Sequence, residues 1–417
     1  MKKEIEDEWR RVSERRASRI KDPKKADLYR ERIERIISTI NLKEPDRVPC
    51  ILGCDMPGYW PAHVGITMEE FLFDFEKARY AVKKTLEDLQ PDAHDVVMPG
   101  MGRLLESLDL STGALWSGLP GRKGIPSNYG MLTYATTIEW IKEDEYDRLL
   151  KDFYGYAFDV LLPRYSGIFR KKGPDFLASL VNVIGELVCL YDLLNLWAEI
   201  DQMGIPTAAG GFGFGPLEVI NMLRGTKGFV TDMFRHPEEF NKLQDGIAPL
   251  LILIGSSTVI FTGNPITVIP IHYTDSQMLS PKQESKFCWP YWKKTLSGLI
   301  GGNVIPMPLM ELGEPGYLDY YRELPKGSCV LWMGREDFFK AEEMIGDHMC
   351  VAGGMTTDLL AYGTPQKVEE RVKEVCKRCM DGGGLIITAE DPISINAKPE
   401  NMKAMIDATK KYGVYRR

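Results

Sequence analysis

The chain has 417 residues, of which 44% are hydrophobic and 27% are charged, a composition typical of globular proteins that bury a full core. Its net charge is −7 and no basic face is evident, which argues against electrostatic capture of nucleic acid. The first twenty residues are charged rather than apolar, unlike a secretory signal, and the eight scattered cysteines are typical of reduced thiols. We therefore expect a cytoplasmic protein.

Residues 1–45 are predicted to form a helical extension. Between Glu4 and Asn41, apolar residues are spaced for helices among many arginines, lysines and glutamates, and Pro23 interrupts the run, which favours two helices over one. Such an arm would pack on the rest of the chain or on a second subunit, so a homodimer is one expected state.

Residues 46–417 are predicted to form a single (β/α)8 TIM barrel of the α/β class, because short β-branched runs alternate there with helical stretches. The predicted strands lie near Val48–Gly53, Asp95–Met98, Pro206–Gly211, Thr267–Ile271, Val304–Pro308, Cys329–Met333, Met349–Ala352 and Leu385–Thr388. Eight such strands are the number that this barrel requires. The connection from Gly100 to Gly204 is long for one crossover, which indicates an insertion around residues 100–204, expected over the barrel mouth.

One uncharged run, Ile247–Thr274, exceeds the length of about 20 residues that a transmembrane helix needs. Prolines at positions 249, 265 and 270 and several polar residues interrupt it. We expect a buried helix followed by a buried strand, and no membrane span.

The active sites of TIM barrels lie at the C-terminal ends of the strands, so residues near those ends are the candidates. The predicted catalytic residues are His272, Glu311, Glu390 and Asp391, and the predicted substrate-binding residues are Tyr59, Trp60, Gly211, Gly213, Asp275 and Trp332. Each has a structural alternative: the carboxylates could cap helices, His272 could be a satisfied core histidine, and the aromatic residues could simply pack in the core.

Three segments of the C-terminal half carry a family resemblance. They are Ser280–Lys294, Gly363–Glu370, and Lys398–Met405 together with Lys411–Gly413. In order and spacing they resemble the uroporphyrinogen decarboxylase superfamily, which includes corrinoid-dependent methyltransferases such as the methyltransferase component of O-demethylase systems. The resemblance covers about Pro45 to Gly413, and it implies a TIM barrel.

Departures from the family pattern narrow the expected activity. Uroporphyrinogen decarboxylases have an arginine-rich loop after the first strand, where this chain has Gly53-Cys-Asp-Met-Pro-Gly-Tyr-Trp60 with no arginine. Carboxylates of a porphyrinogen would be left unpaired there, at a large desolvation cost. The decarboxylases also have an aspartate after the second strand, where this chain has Val97-Met-Pro-Gly-Met-Gly102. The resemblance therefore favours a methyltransferase over a decarboxylase.

The thiol-methylating branch of the superfamily binds zinc through His-x-Cys after the fifth strand and a cysteine after the eighth. This chain has Glu311 in the first region and Glu390 and Asp391 in the second, so the typical thiolate ligands are absent. Zinc or a harder metal held by Glu311, His272 and Asp391 stays an option, and so does acid–base chemistry by the same carboxylates.

The leading hypothesis is the transfer of a methyl group from a small donor, with a methoxylated aromatic as one candidate, to a corrinoid (cobalamin) protein. A carboxylic acid held neutral in an apolar barrel mouth would protonate the poor leaving group. Asp92-Ala-His94 resembles the start of a corrinoid-binding motif but lacks its glycine, so we expect a separate corrinoid shuttle protein to present the cofactor. The alternatives are zinc-dependent methyl transfer from a corrinoid to a thiol or another acceptor, and a non-catalytic tetrapyrrole-binding barrel.

Overall fold

A computed structural model describes residues 1–53, 58–94, 99–111, 118–122, 124–128, 138–271, 279–310, 315–334, 337–390 and 393–415. Within these ranges lie eight parallel strands: β1 Ile51–Leu52, β2 Ala93–His94, β3 Gly211–Phe212, β4 Ile266–Ile271, β5 Ile305–Met310, β6 Val330–Met333, β7 Cys350–Met355 and β8 Leu385–Ala389. Strands β3 to β8 pair in chain order in one parallel sheet, and β1 pairs with β2 in another.

Two isolated parallel bridges connect these sheets into one ring. Cys50, just before β1, pairs with Ile387 of β8, and His94 of β2 pairs with Thr207, just before β3. Each bridge is supported by hydrogen bonds, from Ile387 N–H to the Pro49 carbonyl (3.0 Å) and from Ala208 N–H to the His94 carbonyl (2.6 Å). Every strand therefore has a parallel neighbour on both sides, which confirms the predicted TIM barrel.

The helices surround this ring. They are α1 Lys3–Ala17, α2 Pro23–Ile40, α3 Tyr59–Val64, α4 Met68–Phe73, α5 Phe75–Leu89, α6 Gly102–Ser107, α7 Tyr146–Lys151, α8 Phe153–Tyr156, α9 Leu162–Tyr165, α10 Gly173–Glu186, α11 Val188–Gln202, α12 Pro216–Arg235, α13 Pro237–Thr262, α14 Pro281–Gln283, α15 Trp289–Gly301, α16 Phe338–Ile345, α17 Thr357–Tyr362, α18 Pro365–Cys379 and α19 Pro399–Tyr412. Short 3-10 turns lie at Glu143–Glu145, Gly167–Arg170 and Pro315–Glu323, and π-helical turns at Ala157–Leu161 and Glu284–Cys288.

The N-terminal extension folds as two helices, as predicted from Pro23. The Asp22 side chain caps α2 by accepting a hydrogen bond from the Lys24 N–H at 2.9 Å, and Pro23 occupies the first helical turn. Ile33, Ile36, Ile37 and Ile40 of α2 share one apolar cluster with side chains of the barrel strands. The extension thus continues the barrel core. The proposed boundary at residue 45 stays a prediction.

Alternate side chains of the strands face two different cores. The first, which we name the interior cluster, joins α1 and α2 to Ile51, Ala93, Ala208, Val268, Met307, Leu309, Val330, Trp332, Cys350, Ala352 and Ile386. The second, the outer cluster, joins the surrounding helices to Leu52, Ile269, Ile271, Met310, Leu331, Met333, Val351, Met355, Leu385, Ile387 and Ala389. Because successive strand residues point to opposite faces, this division identifies which residues fill the barrel and which face the helices.

The apolar run from residue 247 onwards forms the C-terminal part of α13 and then β4, so a helix and a strand are both present as expected. Every residue of β4 is buried. A different segment is long and apolar enough to cross a bilayer by length and composition alone: Gly173–Gln202, which comprises α10 and α11. Most of its side chains are exposed on the protein surface. One such helix is weak evidence for a membrane span, because helices of proteins that span no membrane pass the same test of length and composition.

Candidate active site at the barrel mouth

The described residues include six of the ten predicted site residues. These are Tyr59, Trp60, Gly211, Gly213, Trp332 and Glu390, whereas His272, Asp275, Glu311 and Asp391 lie outside the described residues. The described strands and their ends define the geometry of the site.

Trp332 forms the floor of the site. Its side chain belongs to the interior cluster and is 1% exposed, and its indole N–H donates a 2.7 Å hydrogen bond to the Ala389 carbonyl at the end of β8. The ring reaches across to β1, because a Cβ atom placed on Gly53 would lie 2.6 Å from Trp332 Cη2. One indole thus spans the barrel from β6 to β8 and β1 and separates the packed interior from the mouth.

Two polar residues near the C-terminal end of β8, Thr388 and Glu390, lie close to Trp332. Thr388 is 1% exposed, and its Oγ1 has no hydrogen-bond partner in the described structure. A Cβ on Gly53 would lie 2.9 Å from that oxygen, so the hydroxyl is beside Trp332. Glu390 is 8% exposed, and it follows Thr388 by two residues, on the same side as Ile386 and Thr388 by the alternation of the strand. Its backbone N–H is fixed by the Met355 carbonyl at 2.9 Å.

The close contact at Gly53 gives a stability prediction. Gly53→Ala should lower the free energy of unfolding by about 1–3 kcal/mol, because the new methyl group overlaps Trp332. Adding Trp332→Phe, which shortens the ring, should recover part of that loss, with a coupling of about 0.5–3 kcal/mol in a double-mutant cycle measured by urea unfolding. Gly246→Ala is the control, since its Cβ meets nothing within 4 Å. Strictly additive losses would show that the ring does not occupy this place.

Tyr59 and Trp60 are buried at the start of α3 and belong to the outer cluster. The Tyr59 hydroxyl lies 3.0 Å from His63 Nδ1, and His63 Nε2 lies 3.1 Å from an Asp88 carboxylate oxygen on α5. A hydrogen bond from Lys84 lowers the pKa of Asp88, and His63 lowers it further. This chain of contacts fixes α3 against α5. Contact of Tyr59 or Trp60 with a substrate stays a prediction.

Gly211 and Gly213 were expected to follow the third strand, but they lie in it or directly beside it. Gly211 and Phe212 form β3, and the Gly213 N–H donates to the Val268 carbonyl at 2.8 Å. A Cβ on Gly213 would meet Thr267 Cγ2 at 3.3 Å and Ile269 Cγ1 at 3.4 Å. A bulky residue at this position would therefore disturb the packing of β4, and it would be a poor probe of events at the mouth.

Buried polar residues that the sequence did not single out lie near the ends of β3 and β4. Glu218 and Gln244 line a small cavity beside Ile271, the last residue of β4. Asn221, one turn after Glu218 on α12, is fully buried, and neither its amide nitrogen nor its oxygen has a partner in the described structure. The sequence could have pointed to Glu218, because it lies in the first turn of α12, directly after β3. Residues that follow a barrel strand lie near the mouth.

The described residues hold no group of three or more His, Cys, Asp or Glu side chains arranged for a metal ion. The set proposed from the sequence, Glu311, His272 and Asp391, lies outside them, so a metal site there stays a prediction. The Cys376 and Cys379 pair lies on α18, where burial raises the pKa of both thiols to about 12, which is the behaviour of structural cysteines.

Comparisons with known proteins place this geometry in a family. A family model described as uroporphyrinogen decarboxylase (URO-D) matches residues 177–412. A uroporphyrinogen decarboxylase of Pseudoalteromonas atlantica is 25% identical over 183 residues, 43% of this chain and 50% of that protein, and one of Psychromonas ingrahamii is 24% identical over 179 residues, 42% and 49%. The chain thus spans about half the length of the curated relatives it matches.

A solved structure, "methyltransferase from Methanosarcina mazei", is similar over 92% of this chain and 98% of its own, with a TM-score of 0.61 and 16% sequence identity. At this identity, the likeness establishes the shared fold alone.

Proposed function

Because the chain belongs to the uroporphyrinogen decarboxylase family, we propose that its barrel mouth is the active site of a methyltransferase. It moves a methyl group from a small donor, for which we favour a methoxylated aromatic compound, to a reduced corrinoid presented by a separate shuttle protein. The reaction takes place in the cytoplasm.

The observation that carries this proposal is the register of the barrel interior above Trp332. Glu390 continues the interior side of β8, two residues after Thr388. By the same count, Glu311 lies two residues after Leu309, an interior residue of β5, and His272 lies four after Val268 of β4. From this spacing in the sequence, we propose that the carboxyls of Glu311 and Glu390 and the imidazole of His272 face the barrel mouth above Trp332.

This space suits a small, partly apolar donor. We propose that the donor packs against the Trp332 ring and hydrogen-bonds the hydroxyl of Thr388, which has no partner in the described structure. An apolar floor also excludes water from the reacting atoms, and the reaction requires one carboxyl that is protonated when the donor is bound.

The neutral acid supplies the proton that the reaction needs. The bond from the methyl carbon to the donor oxygen breaks with its electron pair on the oxygen, while the methyl carbon forms a bond to the electron-rich corrinoid. The oxygen takes the proton of the Glu311 or Glu390 carboxyl, which is left as a carboxylate and is reprotonated from solvent. General acid catalysis of this kind contributes about 10²–10⁴ in rate.

We propose that the corrinoid is a substrate carried by a partner protein, because one residue of the corrinoid-like motif is engaged elsewhere. Asp92 is fully buried, and its carboxylate accepts hydrogen bonds from Arg35 and Arg47, away from the mouth. The residues proposed as zinc ligands, Glu311, His272 and Asp391, supply oxygen and nitrogen atoms but no thiolate sulfur. Such ligands bind a harder metal well and favour zinc-thiolate chemistry less.

The experiment mixes the protein, a reduced corrinoid protein and a panel of methyl ethers, and follows corrinoid methylation by absorbance together with the demethylated product. We expect a rate that saturates with the corrinoid protein. Thr388→Val, which keeps the shape of the side chain but removes its hydroxyl, should raise the KM for the donor with little change in folding. Full turnover without any corrinoid would disprove the proposal.

Two other results would point to the alternatives. Methyl transfer only from the corrinoid to a thiol, with stoichiometric zinc in the protein, would favour the opposite direction of reaction. Formation of coproporphyrinogen from uroporphyrinogen above background would assign the chain the activity named for its curated relatives, in spite of the missing arginines.

A further inference from the structure

A pair of cationic side chains lies at the N-terminal end of the barrel, the end opposite the mouth. Arg32 of α2 is 2% exposed, and Lys410, in the last turn of α19, is partly buried. Both contact Gln90, which follows α5 and precedes β2. Arg32 Nη2 lies 3.5 Å from Gln90 Oε1, and Lys410 Nζ donates a 2.8 Å hydrogen bond to the Gln90 carbonyl. The proposed reaction uses neither of these cations.

Neither cation has a carboxylate partner within ion-pairing distance among the described residues. Arg32 Nη1 donates to the Gly204 carbonyl at 2.6 Å, but the buried Arg32 Nε has no hydrogen-bond partner there. Lys410 likewise binds a backbone carbonyl, which has only a partial negative charge. Buried charges are normally paired, so a buried guanidinium without a counter-ion calls for an explanation, and an ion from solution is one.

The carboxylates nearby are already shared by two other arginines. Asp92 lies 2.7 Å from Arg35 and 2.6 Å from Arg47. Asp46 lies 2.6 Å from Arg35. Glu31, also on α2, is exposed to solvent, which screens its charge. The region thus has four cations for two paired carboxylates, so two positive charges stay without a direct counter-ion.

The pKa values of the two groups reflect this excess of positive charge. Burial lowers the pKa of Arg32 to about 10, against the opposing charge of Asp92. Burial also lowers the pKa of Lys410, and the charges of Arg47 and Arg32 act in the same direction. In both groups the protonated form is therefore destabilised, and an anion beside them would stabilise it.

We propose that a tetrahedral oxyanion, either inorganic phosphate or the phosphate group of a small ester, binds between Lys410 and Arg32. The ammonium group of Lys410 has three N–H donors, of which the Gln90 carbonyl accepts one. The contact of Arg32 Nη2 with the Gln90 side chain is long, and an oxyanion would replace it by a charge-assisted hydrogen bond. Lys410 and Gln90 are partly exposed, which leaves the place open to solvent on one side. A phosphate dianion also matches the two positive charges that lack a direct counter-ion.

The bound anion would connect the two ends of the chain. Arg32 belongs to the N-terminal extension, Lys410 to the last helix, and Gln90 to the segment between α5 and β2. Because the oxyanion bridges elements that separate on unfolding, it binds the folded state and should stabilise it. The site lies at the opposite end of the barrel from the proposed reaction and does not depend on that reaction.

The first test is equilibrium dialysis of the full chain with radiolabelled inorganic phosphate. We expect one phosphate per chain, bound about tenfold or more weakly by Lys410→Met, because a hydrogen bond between charged groups contributes at least that factor. Lys411→Met is the control, since Lys411 is the next residue of α19, is exposed and pairs with Glu369 at 2.8 Å, and binding should not change. No binding by the wild type, or equal binding by Lys410→Met, would overturn the proposal.

The second test compares melting temperatures in phosphate and in chloride at equal ionic strength. The wild type should melt about 3 °C higher when phosphate is present at about 100 times its dissociation constant, whereas Lys410→Met should show no such saturable rise. Phosphate also stabilises proteins in general, because it is excluded from their surface. An equal rise for both proteins would identify that general effect and would contradict a specific site.

The third test, Gln90→Gly, examines the position of the anion. Gln90 has a positive φ of 53°, which glycine adopts readily, and the substitution removes the carboxamide beside Arg32. Phosphate should bind more tightly to this variant, and unchanged or weaker binding would contradict the proposed position. Competition by glycerol phosphate distinguishes the two sources of the oxyanion. Displacement of labelled phosphate at a lower concentration than unlabelled phosphate requires would assign the site to an ester, and at a higher concentration to inorganic phosphate.

Discussion

The Asp92→Asn protein is expected to unfold with a free energy about 3 kcal/mol below that of the wild type, the low end of the cost of breaking a buried ion pair. Asp92 is 0% exposed and lies 2.7 Å from Arg35 of α2 and 2.6 Å from Arg47 before β1. It also accepts a hydrogen bond from the Cys50 N–H at 2.8 Å. One carboxylate thus joins the N-terminal helices, the start of β1 and the start of β2, and the amide would leave two arginine charges poorly compensated.

Asp46→Asn is the matched control, because Asp46 also pairs with Arg35, at 2.6 Å, but its side chain is 57% exposed. An exposed pair contributes about 1 kcal/mol or less. Urea unfolding of both variants measures the difference. Equal losses would mean that the buried pair stabilises the fold no more than a surface pair does.

Asp92 also determines the direction in which the stability of the fold changes with pH. Burial alone would raise the pKa of Asp92, but the hydrogen bond from Arg47 and the charges of Arg47 and Arg35 outweigh burial and lower it. A lowered pKa contributes stability that is present above the unfolded value of about 3.9 and is lost as the pH falls through the folded value. The gap in stability between wild type and Asp92→Asn should therefore be constant near neutral pH and shrink in acid.

The later strands of the barrel were predicted closely from the sequence, and the early ones less closely: β1 lies within the predicted range Val48–Gly53, and β3 overlaps the predicted range Pro206–Gly211 only at Gly211. Strands β4 to β8 lie within three residues of their predicted ends, because continuous runs such as Ile266–Ile271 leave few alternatives to a strand buried on both faces. Strands β1 to β3 have two residues each, and Ala93–His94 has no β-branched residue, so its strand geometry comes from pairing with Ile51–Leu52. The range predicted for the second strand, Asp95–Met98, lies outside the described residues.

The directions in which individual side chains point were harder to predict from the sequence than the positions of the helices and strands. Trp332 was predicted correctly to lie in the sixth strand, but its span across the barrel depends on Gly53, which is distant in sequence. Asn221 was missed because a polar residue in an amphipathic helix is normally taken to face solvent. Conversely, the periodicity of Leu177 and Ile184 predicts a helix but leaves open which of its two apolar sides faces the barrel.

Glu311→Gln is expected to slow methyl transfer from an unactivated ether at least about 10²-fold, the lower bound for loss of a general acid. The amide keeps the size of the side chain but has no carboxyl proton to give to the leaving oxygen. A donor with a better leaving group should be slowed less, because its oxygen departs with little help. Single-turnover rates with both donors, at saturating corrinoid protein, measure this difference.

The control for that substitution is Glu323→Gln, twelve residues further along, where a surface carboxylate pairs with Lys293 at 2.7 Å and the rate should not change. Glu390→Gln distinguishes the two candidate acids, because substitution of the residue that donates the proton should show the leaving-group dependence and substitution of the other should not. If Glu311→Gln slows both donors equally, the residue positions the substrate or holds a metal, and the acid must be sought at Glu390, two residues beyond Thr388 on the interior side of β8.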